Sequence, residues 1–192
     1  MPAPFVDPLC IMLVAVAAST SLVALYLINA AKGRKDLSGF ALPGAVIGAF
    51  DFISGFFMSF VWPFPGPLSA YNMLFGDPML FLGIIMLAGS LMVYKNMKPN
   101  IVSLFGFFIG IYLFVETYGI VALGLEKGSD LYMALGFYFF AALSSIFSPI
   151  VYLDPKKNRG AYYFLAALLI ITAFFSIAIG SIGIYGHLAS PP

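Results

Sequence analysis

From Leu9 to Ala31 the chain carries no charged side chain, and the run ends in Lys32-Gly33-Arg34-Lys35. About 20 consecutive apolar residues are enough for a helix to cross the hydrocarbon core of a bilayer. Basic residues after the apolar core, with only Asp7 before it, reverse the order of a cleavable signal peptide. A retained first helix with its N-terminus outside is therefore expected. Its interior polar residues Ser19, Thr20, Ser21 and Asn29 are short enough to bond to the preceding helical turn or to a neighbour, and are read as needing no functional role.

Five more stretches repeat the pattern. Spans at about 9–31, 40–62, 78–94, 100–125, 131–153 and 161–185 account for nearly all of the 192 residues, read as one integral membrane domain, 1–192. The charged fraction is 9%, where a soluble protein has about a quarter, and the mean hydropathy is +1.03. The expected fold class is all-α, a six-helix transmembrane bundle.

Eight of the nine basic residues fall in the first, third and fifth connections: Lys32, Arg34, Lys35, Lys95, Lys98, Lys156, Lys157 and Arg159. Only Lys127 lies on the other side. The positive-inside rule then places both termini outside a multi-pass protein of the cell membrane. Attraction of anionic head groups accounts for the basic clusters, so the bilayer is the expected partner and nucleic acid is not.

Much chemistry is excluded. His187 is the sole histidine and Cys10 the sole cysteine, so a bis-histidine haem site, a histidine-based di-metal site and an internal disulfide cannot be built within one chain. Cys10 is expected to be buried. No phosphate loop or nucleotide fingerprint occurs, and a serine triad would have to recruit His187 without any flanking signature. No catalytic residue, metal or cofactor is assigned. Gly106 and Gly110 read as a small-residue helix contact, and so does the face of the sixth span carrying Thr172, Ser176, Gly180, Gly183 and His187. Pro149, close behind Ser144, Ser145 and Ser148, should kink or stop the fifth span.

Two carboxylates remain inside the spans. Asp51 is eleven residues before Trp62 and Glu116 ten before Glu126, about 15 Å deep at 1.5 Å per residue. No lysine or arginine inside a span can pair with either, and intramembrane acids are functional hypotheses by default. Each is expected to be a protonated acid bonded to hydroxyls or to line a hydrated cavity, with Tyr112, Tyr118, Ser54, Ser145, Thr172 and Ser176 as candidate companions. Gly44, Gly48 and Gly55 share a helical face with Asp51. That face should point Asp51 into the bundle toward Glu116 or hydroxyls of the fourth to sixth spans; alternatively it binds a second copy or a partner membrane subunit. The bland reading of each acid is a helix-to-helix hydrogen bond.

Between the second and third spans lies Trp62-Pro63-Phe64-Pro65-Gly66-Pro67, then Tyr71-Asn72 and Phe75-Gly76-Asp77-Pro78. Residues 63–77 are expected to form a long outer cap, with Trp62, Tyr71, Asn72 and Asp77 at its mouth or partly re-entering, and Pro78 opening a short third span unless the helix starts earlier. This pattern resembles a small membrane-protein family of bacteria and archaea described only as a domain of unknown function, which implies a shared architecture and supplies no catalytic residues. Function is read as transport or permeation of a proton, cation or small polar solute through an Asp51–Glu116 relay. The competing readings are a non-catalytic subunit or assembly factor and, third, a membrane enzyme acting on a lipid.

Overall fold

The computed structural model describes residues 8–189. Six helices are long and apolar enough to cross a membrane. They are α1 (Leu9–Ala31), α2 (Ala41–Phe56), α3 (Ala70–Tyr94), α4 (Asn100–Ala122), α5 (Gly128–Ile146) and α6 (Arg159–Ala189), and no strand occurs among the described residues. Each helix packs on the next, and α6 returns to α1, so the six close a ring. The most extensive pairings are α2 with α3, α1 with α6 and α4 with α5, and the joint between α3 and α4 is much slighter.

Apolarity does not distinguish inside from outside here. Phe105, Phe108, Val115 and Ile182 are exposed, as a hydrocarbon solvent permits, whereas Ser19, Thr20, Asp51, Asn72, Glu116, Thr172 and Ser176 are buried. Close packing is what joins the helices. Gly55 and Gly83 let α2 and α3 approach backbone to backbone: a Cβ at Gly55 would strike the Leu80 backbone, and one at Gly83 the Phe52 backbone. Gly106 and Gly110 accept Ser148 and Ile146 in the same way, and Gly180 and Gly183 accept Leu13 and Cys10, as their spacing predicts. Cys10 is buried.

The α2–α3 connection corrects the sequence reading. The α-helical turns of α2 end in a π-helical segment, Phe57–Val61, and the chain breaks at Trp62, whose φ of 56° is left-handed. After a 3₁₀ turn at Gly66–Leu68, α3 begins at Ala70, so Tyr71, Asn72 and Asp77 are helical and no fifteen-residue cap exists. Pro78 lies inside α3 rather than opening it. A proline there removes the N–H that would bond to the carbonyl four residues back, that of Leu74. The Tyr138 hydroxyl of α5 donates to that carbonyl instead, at 2.6 Å. Asn72, fully buried, holds the turn: its side-chain oxygen accepts from Phe64 N–H at 3.0 Å, and its amide donates to the carbonyls of Phe64 and Ser69. Pro149 does end the fifth helix: Ser148–Tyr152 is a 3₁₀ turn.

On the side of the basic connections, Ser38 bonds to the Asp36 carboxylate through its hydroxyl and N–H, and the Lys156 N–H bonds to that of Asp154. These bonds hold both exposed acids below the usual carboxylate range.

Candidate functional site

The two intramembrane acids occupy different parts of the ring. Asp51, fully buried, accepts a hydrogen bond from the Ser19 hydroxyl of α1 at 2.5 Å, and its second oxygen has no partner. Both residues stand ten positions into their helices, about 15 Å from either helix start. Glu116 lies on α4 in the half of the bundle toward the α4–α5 connection, beside Tyr112 one turn earlier and close to Asp77 of α3. The Tyr112 hydroxyl donates to Asp77 at 2.7 Å, and Phe81 packs edge-on against the Tyr112 ring. Neither Glu116 oxygen has a hydrogen-bond partner. Asp51 and Glu116 are not bonded to each other and share no partner, so the single relay drawn from the sequence is replaced by a Ser19–Asp51 pair and an Asp77–Tyr112–Glu116 cluster. The reason is the earlier start of α3, which carries Asp77 into the bundle and against α4.

Three tyrosine hydroxyls cross the joint between α3 and the α4–α5 hairpin. Tyr71 donates to Glu126 at 2.6 Å, Tyr112 to Asp77, and Tyr138 to the Leu74 carbonyl. All three lie toward the α2–α3 and α4–α5 connections. The other half of the same joint is hollow. A cavity of about 190 Å³ lies there among the six helices, with α3 on one side and α4 and α5 on another, and is lined by apolar side chains together with Ser90, Ser103, Ser144, Ser145 and Ser148. It shares Leu82, Ile85, Ser144, Ser145 and Leu169 with a second space of about 110 Å³ that reaches Thr20, Thr172, Leu74 and Pro78. In the opposite direction it shares Tyr26, Val93, Pro99 and Val151 with a third of about 280 Å³, rimmed by Arg34, Lys35, Lys98 and Lys156. Along α3 the lining extends from Val93 to Leu74, about 28 Å of helix.

The family described as Protein of unknown function (DUF981) matches residues 1–190. The chain belongs to that family. No curated protein and no solved structure matches it.

In this DUF981 chain the predicted companions divide. Tyr112 joins Glu116, together with Asp77, which was expected at the outer mouth; Ser145 lines both apolar cavities and Thr172 the second, its hydroxyl bonding to its own helix at Leu168. Ser176 donates to the Leu13 carbonyl of α1 at 2.7 Å. Tyr118 is 73% exposed and turned outward, away from either acid, because it lies two positions from Glu116 on a helix. Ser54 is half-buried on α2, and Trp62 is an exposed helix end. The α2 glycine face, proposed for a partner, is filled by α3.

Sequence reasoning gave no site role to Ser19, whose short side chain was read as bonding to its own helix or to a neighbour, and missed Tyr138, whose signal was Pro78: an intrahelical proline frees a carbonyl that something must satisfy in lipid. Among the described residues no group of three histidine, cysteine or acidic side chains could hold a metal ion.

Proposed function

We propose that the protein is a small membrane transport or permeation protein whose solute enters the ring from the side of the basic connections, the cytoplasm by the positive-inside rule, with both termini outside. The observation that supports this is the asymmetry of the α3–α4 joint: three tyrosine hydrogen bonds cross it at the outer end, while adjoining cavities extend from the basic side as far as Leu74, whose carbonyl Tyr138 bonds. A ring closed on one side and open on the other is one of the two states that alternating access requires. The tyrosines form the outer gate, and the Asp77–Tyr112–Glu116 cluster, of which Glu116 is buried, lies within it.

The test uses a background in which Cys10 is replaced by alanine, with single cysteines at Ser145 and Leu74, and a membrane-impermeant thiol reagent applied to either face. Ser145→Cys should react from the cytoplasmic face alone, and Leu74→Cys should gain reactivity from outside when Tyr71, Tyr112 and Tyr138 become phenylalanine. Outside access to Ser145→Cys with the tyrosines intact rejects the proposal.

A further inference from the structure

Two features of the inner half are not explained by a passage alone. The first is the convergence of charge on the opening. Arg34, Lys35, Lys98 and Lys156 come from three different connections yet rim one space of about 280 Å³; Asp36 and Asp154 are not part of its lining, although Asp154 lies close enough to Lys98 to interact with it. Attraction to a leaflet asks only that basic residues be on this side of the membrane; it does not ask them to surround one hole. Asn100, on the same rim, has a buried side-chain oxygen with no partner. The second feature is the abrupt change behind the rim, where the space of about 190 Å³ is walled mainly by aliphatic and aromatic side chains and continues toward Leu74. A small inorganic ion would find no partner there beyond scattered serines, and a neutral apolar molecule would make no use of the rim.

Resting on the inner-opening reading above, we propose that this site takes a single-chain amphiphile with a phosphate head, its head held by Arg34, Lys35, Lys98 and Lys156 and its hydrocarbon chain in the cavity between α3 and the α4–α5 hairpin. Four cations exceed what one carboxylate needs and suit the oxygens of a phosphate. The lining of the two apolar spaces runs along α3 from Val93 to Leu74, about 28 Å of helix, which exceeds the roughly 15 Å of hydrocarbon in one leaflet and leaves length for one extended chain. Gly89 is the point of control. It lines the cavity, and a Cβ there would meet nothing within 4 Å, so a larger side chain enters the space in place of the ligand without striking a neighbour.

The full chain in phosphatidylcholine nanodiscs should bind radiolabelled hexadecyl phosphate saturably, above the uptake of empty nanodiscs. Gly89→Leu should weaken that binding by about tenfold or more by filling the chain site. The triple variant R34Q/K98Q/K156Q should weaken it by about tenfold or more through lost charge-assisted bonds. Gly119→Leu, at a helical glycine with equal room but outside the cavity, should bind as the parent does. Thermal transitions of the variants matching the parent's assign any loss to the site. Unchanged binding by Gly89→Leu overturns the proposal. So does equal competition by hexadecanol, by inorganic phosphate, by palmitate or by a two-chain phosphatidic acid. Binding that survives while the thiol-accessibility pattern fails leaves the amphiphile site standing and removes the transport reading.

Discussion

The α3–α4 joint has two halves built from the same kinds of helix, and they differ in how the gap between them is filled. In the half toward the α2–α3 and α4–α5 connections, the outer half in the proposed orientation, tyrosines reach across and end on an acid, an acid and a backbone carbonyl. In the inner half, serines are too short to cross, and Ser103, Ser144 and Ser148 donate to carbonyls of their own helix or the adjoining α4–α5 hairpin, leaving space. Side-chain reach therefore decides whether the joint is shut. A tyrosine brings its ring as filler and its hydroxyl as the bond, while a serine satisfies itself locally and leaves the gap.

Breaking the outer half completely should have the largest effect. Replacing Tyr71, Tyr112 and Tyr138 together by phenylalanine keeps the rings and deletes three bonds averaging about 0.6 kcal/mol each in membranes, about 2 kcal/mol in sum or roughly thirtyfold in opening, read as thiol reactivity at Leu74→Cys. Tyr138→Phe alone should cost about 1 kcal/mol in unfolding from mild detergent, because it strands a buried carbonyl. Pro78→Ala restores an N–H to that carbonyl, so Tyr138→Phe should cost less in a Pro78→Ala background; equal cost in both backgrounds would refute the assignment of Tyr138 to the proline's vacancy. Ser19→Ala removes the one bond made to Asp51 and should lower stability by about 1 kcal/mol, with Ser19→Thr retaining most of it. Tyr118→Phe, on the outward face, should change stability by less than about 0.5 kcal/mol and leave both halves as they are.

How far these halves were legible in the sequence depends on what each signal encodes. Six spans follow from apolar length and charge spacing, which report on the solvent around each helix. Which residue on one helix meets which on another is set by rotation and register, and an evenly apolar helix carries little record of either. Glu116 was found because an acid in lipid is conspicuous, and Tyr112 because it stands one turn away. Asp77 was placed in a loop because Pro78 reads as a helix start; the alternative of an earlier start is the one close to the observed Ala70, and it brings the cluster into the bundle. Ser19 went unassigned for the opposite reason: a serine that can satisfy itself gives no sign when it serves a neighbour instead.

The closure of α6 onto α1 sets an order of assembly. The α2–α3 and α4–α5 pairs join helices adjacent in the chain and can dock as soon as each hairpin has entered the bilayer. The α1–α6 seam cannot: Ser176 bonds to the carbonyl of Leu13 across 163 positions, and Gly180 and Gly183 meet the same turns of α1. Until α6 is inserted, the groove on α1 that receives it faces lipid or a chaperone, and Asp51 depends on a helix held from one side only. A ribosome stalled within α6 should therefore leave an insertion intermediate with both hairpins formed and α1 open to crosslinking at Leu13. Docking of α6 would then close the seam and secure the helix that holds Asp51.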